Sequence, residues 1–190
     1  MLLLVGLGNP GTNSVNNRHN IGFKIIDAVN AHFKLSKQKP KFKGLLTTGN
    51  IESKKIYAIK PLTFMNNSGT AIKELIDYFK IDAKNVFVFH DDMDIDFGKI
   101  KAKFGGSSAG HNGINSIDKF IGKDYSRIRI GIGHPKQKNK VNNHVLEDFK
   151  EDEEEKIKEI AESIVKLIPT LIEKKMDLFS SKVNQNLNGI

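Results

Sequence analysis

The chain has no cysteine. That excludes a disulfide framework and thiolate metal sites, and it removes cysteine from the candidate nucleophiles. It also lacks any apolar stretch long enough to span a bilayer as a helix. The opening apolar run, Leu2 to Val5, is short and has no charged segment before it, which does not match a secretory signal. A cytoplasmic protein without membrane attachment is the expectation. No internal repeat, low-complexity tract or linker divides the chain. Residues 1–190 therefore read as one domain, with a tail from about residue 184 expected to be flexible. Arginine is scarce: Arg18, Arg127 and Arg129 are the only three among 30 basic residues. Arginine's planar, bidentate donor is not interchangeable with lysine, which makes those three positions informative.

What is present in excess is positive charge, +8 at neutral pH over 190 residues. An excess of that size points to an anionic partner, nucleic acid foremost, although lysine-rich composition alone is weak support. Hydrophobic periodicity places a helix from about Ile21 to Phe33, a loop over Lys34 to Lys43, strands near Leu45 to Ile51 and Ile56 to Ile59, and a second helix after Asn67 or Ser68. Val86 to Phe89 is a continuous apolar run, as in a strand buried on both faces. Lys99 to Phe104 and Arg127 to Ile132 alternate like half-exposed strands, with a helix near Ile114 to Ile121 between them. Lys136 to Asn143 reads as a basic loop. A final helix starts in the acidic run Glu151 to Glu155 and should be kinked or split at Pro169. This order predicts an α/β domain: a twisted mixed, partly parallel sheet with helices on both faces.

In such a fold, ligands bind beyond the carboxyl ends of the strands. That rule brings together the loops Gly6 to Gly11, Pro61 to Asn66 and His90 to Asp94, within reach of Gly105 to Gly113. Gly6-x-Gly8-x-x-Gly11 has the spacing of a dinucleotide fingerprint. Pro10 removes a backbone donor, however, and Thr12 to Asn17 is a poor helix start, so a nucleotide-dependent oxidoreductase is disfavoured. Asp92-x-Asp94-x-Asp96 starts like a calcium loop, but Phe97 and Lys103 occupy the places of its glycine and glutamate. His19 stands at a helix entrance and Asp91 ends a buried strand. A carboxylate so placed can fix an imidazole tautomer and make it a general base for water; the alternative is a capping histidine. Asn9, Asn66 and Asn112 offer amides suited to a peptide or an oxyanion, or are ordinary turn residues.

Taken together, GLGNPG, RHNIG, KPLTFMNNSG, HDDMD, GSSAGHNG and RIRIGIGHP resemble the bacterial-type peptidyl-tRNA hydrolase family, in order and with fitting spacing over Met1 to about Phe149. The resemblance implies hydrolysis of the ester joining a peptide to the 3′ end of tRNA. It makes His19 the base, supported by Asp91, with Asn9 contacting the peptide and selecting N-blocked substrates. Phe64, Asn66 and Asn112 would line the cleft, and His111 would stand near its mouth. Lys101, Lys103 and Arg129 fall where the family places contacts to the tRNA acceptor arm. Ser14 stands where the family usually has tyrosine, so the aromatic contact to substrate at that position is missing. No metal or cofactor is expected, since an ester needs water activation and oxyanion donors only. The partner is peptidyl-tRNA, and the protein is taken to act as a monomer. The competing reading is a catalytically inactive, basic RNA-binding protein of the same fold.

Overall fold

The computed structural model describes residues 1–135 and 141–189. Seven strands form one sheet in the order β2-β3-β4-β1-β5-β7-β6. Its centre is β1 (Leu2–Gly6), flanked in parallel by β4 (Lys54–Pro61) and β5 (Val86–Asp92), with β7 (Ser126–Gly131) parallel to β5. The edges are antiparallel: β2 (Lys39–Lys41) and β3 (Gly44–Ile51) on one side, β6 (Ile100–Phe104) on the other. Every residue of β1 and β5 is buried, as two-sided helix cover requires of a parallel centre.

One face of the sheet packs against α1 (Ile21–His32), α5 (Glu151–Ile172) and α6 (Met176–Leu187). Leu2, Leu4, Phe87 and Phe89 meet Ile25, Val29, Ile160, Ile164 and Phe179 there. The opposite face carries Leu3, Val5 and Val88 against α2 (Ser68–Phe79) and α3 (Asn112–Ile121) through Ile72, Leu75, Ile114 and Ile117. Consecutive residues of β1 thus feed opposite cores, so a one-residue slip of that strand would exchange the contents of both. Among the described residues, no helix is long and apolar enough to cross a membrane.

Three local expectations are corrected. The segment Lys34 to Lys43 contains the edge strand β2. Pro40 is tolerated in it because an edge strand leaves one row of backbone groups unpaired. Of the kink or split expected at Pro169, the split does not occur. The helix runs on to Ile172, and the break falls at residues 173–175, where Lys174 adopts a left-handed φ of 63°. A proline this close to the helix end breaks little of the hydrogen-bond ladder beyond it. The segment from residue 184 is helical to Leu187. Asn184 bonds both the Ile100 amide and its carbonyl at 2.9 Å, fastening α6 to the edge strand β6. Of the expected loop Lys136 to Asn143, residues 136–140 lie outside the described residues, and the remainder opens the short helix α4 (Val141–His144).

Candidate active site

The approach of α1 to the sheet sets the position of His19. A Cβ on Gly6 would lie 2.2 Å from the Gly22 carbonyl oxygen, and one on Gly22 only 2.4 Å from the Leu7 nitrogen and from the Phe89 oxygen. Only hydrogen atoms fit at that crossing, which brings the start of α1 onto the ends of β1 and β5. The 3₁₀ turn Arg18–Asn20 just before α1 therefore stands over Asp91. It is pinned from outside by the Arg18 and His19 amides, which donate to the carbonyls of Glu147 and Val145 at 3.0 and 2.8 Å. Arg18 itself holds Glu153 at 2.8 Å, and the same carboxylate accepts the Lys150 amide at the start of α5.

Asp91 Oδ1 is shared by two imidazoles: His19 Nδ1 at 2.7 Å and His111 Nε2 at 3.0 Å. The tautomers follow from the remaining bonds. His111 caps α3, its Nδ1 accepting the Gly113 and Ile114 amides at 3.1 and 3.3 Å, so its proton sits on Nε2 and is donated to Asp91. His19 likewise donates its Nδ1–H to the carboxylate, which leaves Nε2 as a free lone pair. Burial pushes the Asp91 carboxyl up, but His19 and His111 outweigh it and hold the group well below the usual carboxylate range. Asp91 is thus an anion whose function is to accept. The three ligating atoms lie close enough together to suggest a metal cluster. Coordination through His111 Nε2 would, however, need the proton on Nδ1, facing two backbone N–H groups, so this donor set fits two protons better than a cation.

His90 adds a third imidazole on the side of His111, edge to face at 4.9 Å between ring centroids. Its Nδ1–H donates to the Asp91 carbonyl at 2.8 Å, and Nε2 is buried with no partner among the described residues. Burial, reinforced by His111, pushes this imidazole down to about 3 against the pull of Asp91 and Asp92. The unfolded chain binds the corresponding proton near pH 6.5, whereas the folded chain refuses it down to about 3. The contribution of His90 to stability is therefore complete above that upper value and is lost as pH falls through the interval. At about 1.4 kcal/mol per pH unit, the loss between pH 6.5 and 5 is about 2 kcal/mol. Urea unfolding of His90→Gln should show a decline shallower by that amount over the same range. Equal slopes in both proteins would remove His90 as the acid-sensitive group.

Asn9 is oriented as firmly as His19. Its amide nitrogen donates to Asn20 Oδ1, and Asn20 Nδ2 donates back to the Asn9 carbonyl, both at 2.9 Å. Its side-chain Oδ1 accepts the Met65 amide at 2.9 Å. Only Nδ2 remains to meet a ligand. Asn9, His19, Phe64, Asn66, Asp91, His111 and Asn112 line one cleft of about 520 Å³, together with Met93, Val145 and Leu146. Phe64 is 71 % exposed at this cleft, so its ring is open to whatever the cleft holds.

Seven of the eleven site residues expected from sequence therefore converge. His111 belongs at the base of the cleft on Asp91, not at its mouth, because the cap it supplies to α3 aims its ring inward. Ser14 does not line the cleft. Lys101, Lys103 and Arg129 stand beside it on β6 and β7, where Lys101 is registered opposite Arg129 and Arg129 opposite His90. Arg129 Nε is bonded to Asp92 Oδ2 at 2.7 Å, and Arg127 is buried against Asp118 at 2.7 Å, so all three arginines are held in ion pairs. No helix opens at Gly11; a single 3₁₀ turn, Thr12–Ser14, follows it, so the dinucleotide geometry is absent. Sequence reasoning missed Asn20, His90 and the 145–146 segment. Asn20 adjoins His19 in the chain, but its partnership with Asn9 arises only where α1 crosses β1.

Comparison with known proteins places these features. A family model described as peptidyl-tRNA hydrolase matches residues 3–189. The peptidyl-tRNA hydrolase of Pelagibacter ubique is 71 % identical over 184 residues, covering 97 % of this chain and 99 % of its own. That of Bartonella henselae is 45 % identical, covering 100 % and 98 %. The crystal structure of peptidyl-tRNA hydrolase from Acinetobacter baumannii superposes with a TM-score of 0.90 at 32 % identity, covering 97 % of this chain and 94 % of that one.

Proposed function

From the premise that this chain belongs to the peptidyl-tRNA hydrolase family and hydrolyses peptidyl-tRNA, we propose that His19 is the general base of the reaction and Asp91 its positioning partner. The observation that carries this is the pair of donors on Asp91 Oδ1, which leaves the lone pair of His19 Nε2 free. A water held there loses a proton to Nε2 as its oxygen attacks the ester carbonyl. Asp91 stabilises the imidazolium so formed. When the tetrahedral intermediate collapses, the bond to the ribose oxygen breaks and that oxygen takes the proton back from His19. The products are a peptide with a free carboxyl group and a tRNA with a free terminal hydroxyl.

Asn9 can act on substrate only as a donor, because its carbonyl oxygen is committed to Met65. Its Nδ2 suits an acyl carbonyl at the N-blocked end of the ester-linked residue. A free α-ammonium group offers only donors and leaves that contact unmade, which selects peptidyl-tRNA over aminoacyl-tRNA. Asn66 and Asn112 supply donors for the oxyanion, and Phe64 covers the substrate from the rim. The RNA-binding alternative is not favoured, since the base, its carboxylate and all three asparagines are retained. The working unit is taken to be a monomer, and the cytoplasm is where this substrate is made.

Lys101 and Lys103 are assigned to phosphates of the acceptor arm, with Arg129 in support; its bond to Asp92 makes it the weaker contact. Lys101→Ala should reduce the slope of log affinity for tRNA against log salt by about 0.9, the release expected for one phosphate contact. An unaltered slope would take Lys101 out of the phosphate path. The reaction itself is tested by mixing the protein with N-acetyl-Phe-tRNA and Phe-tRNA. Release of tRNA from the first and not the second is expected; equal release from both contradicts the role given to Asn9.

A further inference from the structure

A second pocket, of about 370 Å³, opens on the other side of Asn9. Val15, Phe23, Leu45 and Leu62 supply its apolar wall, beside polar lining from Asn9, Asn20, Lys24, Asp27 and Lys60; Val15 is 56 % and Leu62 41 % exposed. Asn9 lines both this pocket and the catalytic cleft. The loop that follows β4 spans the two as well, Leu62 facing the pocket and Phe64 the cleft.

Strand order determines what can reach it. Along the carboxyl edge of the sheet, β3 and β4 border the second pocket, β1 delivers Asn9, and β5 delivers Asp91. Beyond these lie β7 and β6 with Arg129 and Lys101. A tRNA held on the β6–β7 side and esterified over His19 must send its peptide toward β4, past Asn9. The pocket's two cations are already neutralised: Lys60 meets Asp27 at 2.6 Å and Lys24 meets Glu154 at 3.0 Å. It therefore offers apolar wall without a free positive charge, which suits an apolar side chain and not a phosphate.

We propose that this pocket is a subsite for the side chain of the peptide residue preceding the ester-linked one, and that it favours apolar side chains. The inference rests on the reading of His19 and Asn9 given above. It makes Leu62 and Val15 specificity-determining residues with no part in the chemistry.

The test uses the full chain and a series N-acetyl-Xaa-Phe-tRNA, with Xaa as Gly, Leu or Asp, beside N-acetyl-Phe-tRNA, which has nothing to place in the pocket. The wild type should prefer Leu over Gly by about tenfold in kcat/KM, the scale for partial burial of one aliphatic side chain, and should disfavour Asp. Leu62→Asp and Val15→Asp, both at exposed positions, should flatten that preference and leave N-acetyl-Phe-tRNA turnover unchanged, which also shows that each variant is folded. No dependence on Xaa in the wild type overturns the subsite, as does an undiminished Leu preference in both variants. Failure to hydrolyse any of the substrates overturns the reading of the catalytic cleft instead.

Discussion

His19→Ala is expected to lower kcat for N-acetyl-Phe-tRNA by about 10³-fold while KM stays within a few-fold of wild type, as for loss of a general base. His19 is buried, but what it presents to the cleft is a single lone pair on Nε2, since Nδ1 is occupied by Asp91. Substrate binding is assigned to Asn9, Phe64 and the basic residues of β6 and β7, none of which needs the imidazole. The cost should therefore fall on the proton-transfer step. A rise in KM with kcat preserved would mean that His19 binds substrate and some other group activates water. His111 is the obvious rival for the base, but its two nitrogens are committed, one to Asp91 and one to the first turn of α3.

Asp91→Asn should be nearly as damaging, also about 10³-fold in kcat, because the charge that stabilises the His19 imidazolium is lost and the tautomer of His19 is no longer fixed. The asparagine carbonyl can still accept the Nε2–H of His111, whose tautomer is set by the cap on α3. If that oxygen keeps the place of Oδ1, it also accepts the Nδ1–H of His19 but carries no charge to stabilise the imidazolium. If the amide turns toward His19 instead, it donates to Nδ1, which moves the imidazole proton to Nε2 and points a donor, not a lone pair, at the attacking water; kcat falls either way. KM should change little and the fold should persist, because the replacement has the same shape and keeps both hydrogen bonds. Asp91→Ala is a poorer test, since it leaves two imidazole donors buried without an acceptor. Retention of wild-type kcat in Asp91→Asn would show that the carboxylate does not set the state of His19.

How much of this could be read from the chain depends on the distance over which each signal acts. The sheet centre was legible because Leu2 to Val5 and Val86 to Phe89 are unbroken apolar runs, and burial on both faces leaves no other pattern. The helices α1 and α2 were legible from their stripes of isoleucine and leucine. Strand β2 was not, since three residues, Lys39, Pro40 and Lys41, pair only on one side and carry no apolar periodicity. Of the kink or split expected at Pro169, the split is absent because little helix follows the proline, which lies close to the end at Ile172. In the site, chemical type singled out His19, Asp91 and the asparagines. The position of His111 was hidden, because it follows from a backbone cap at the start of α3. Arg129 looked like a free phosphate ligand until its partner Asp92, on the neighbouring strand, came into view. The Asn9–Asn20 clamp and the pocket behind it depend on the crossing of α1 over β1, which the two glycines permit and no local pattern announces.

The central claim, that His19 and Asp91 act as one unit on water, is tested most directly by a double-mutant cycle on single-turnover hydrolysis of N-acetyl-Phe-tRNA. With the base absent, the group that orients it has nothing left to do. His19→Ala combined with Asp91→Asn should therefore be no slower than His19→Ala alone. A double variant slower by the product of the two single losses would contradict the claim, because Asp91 would then be acting on the reaction independently of His19.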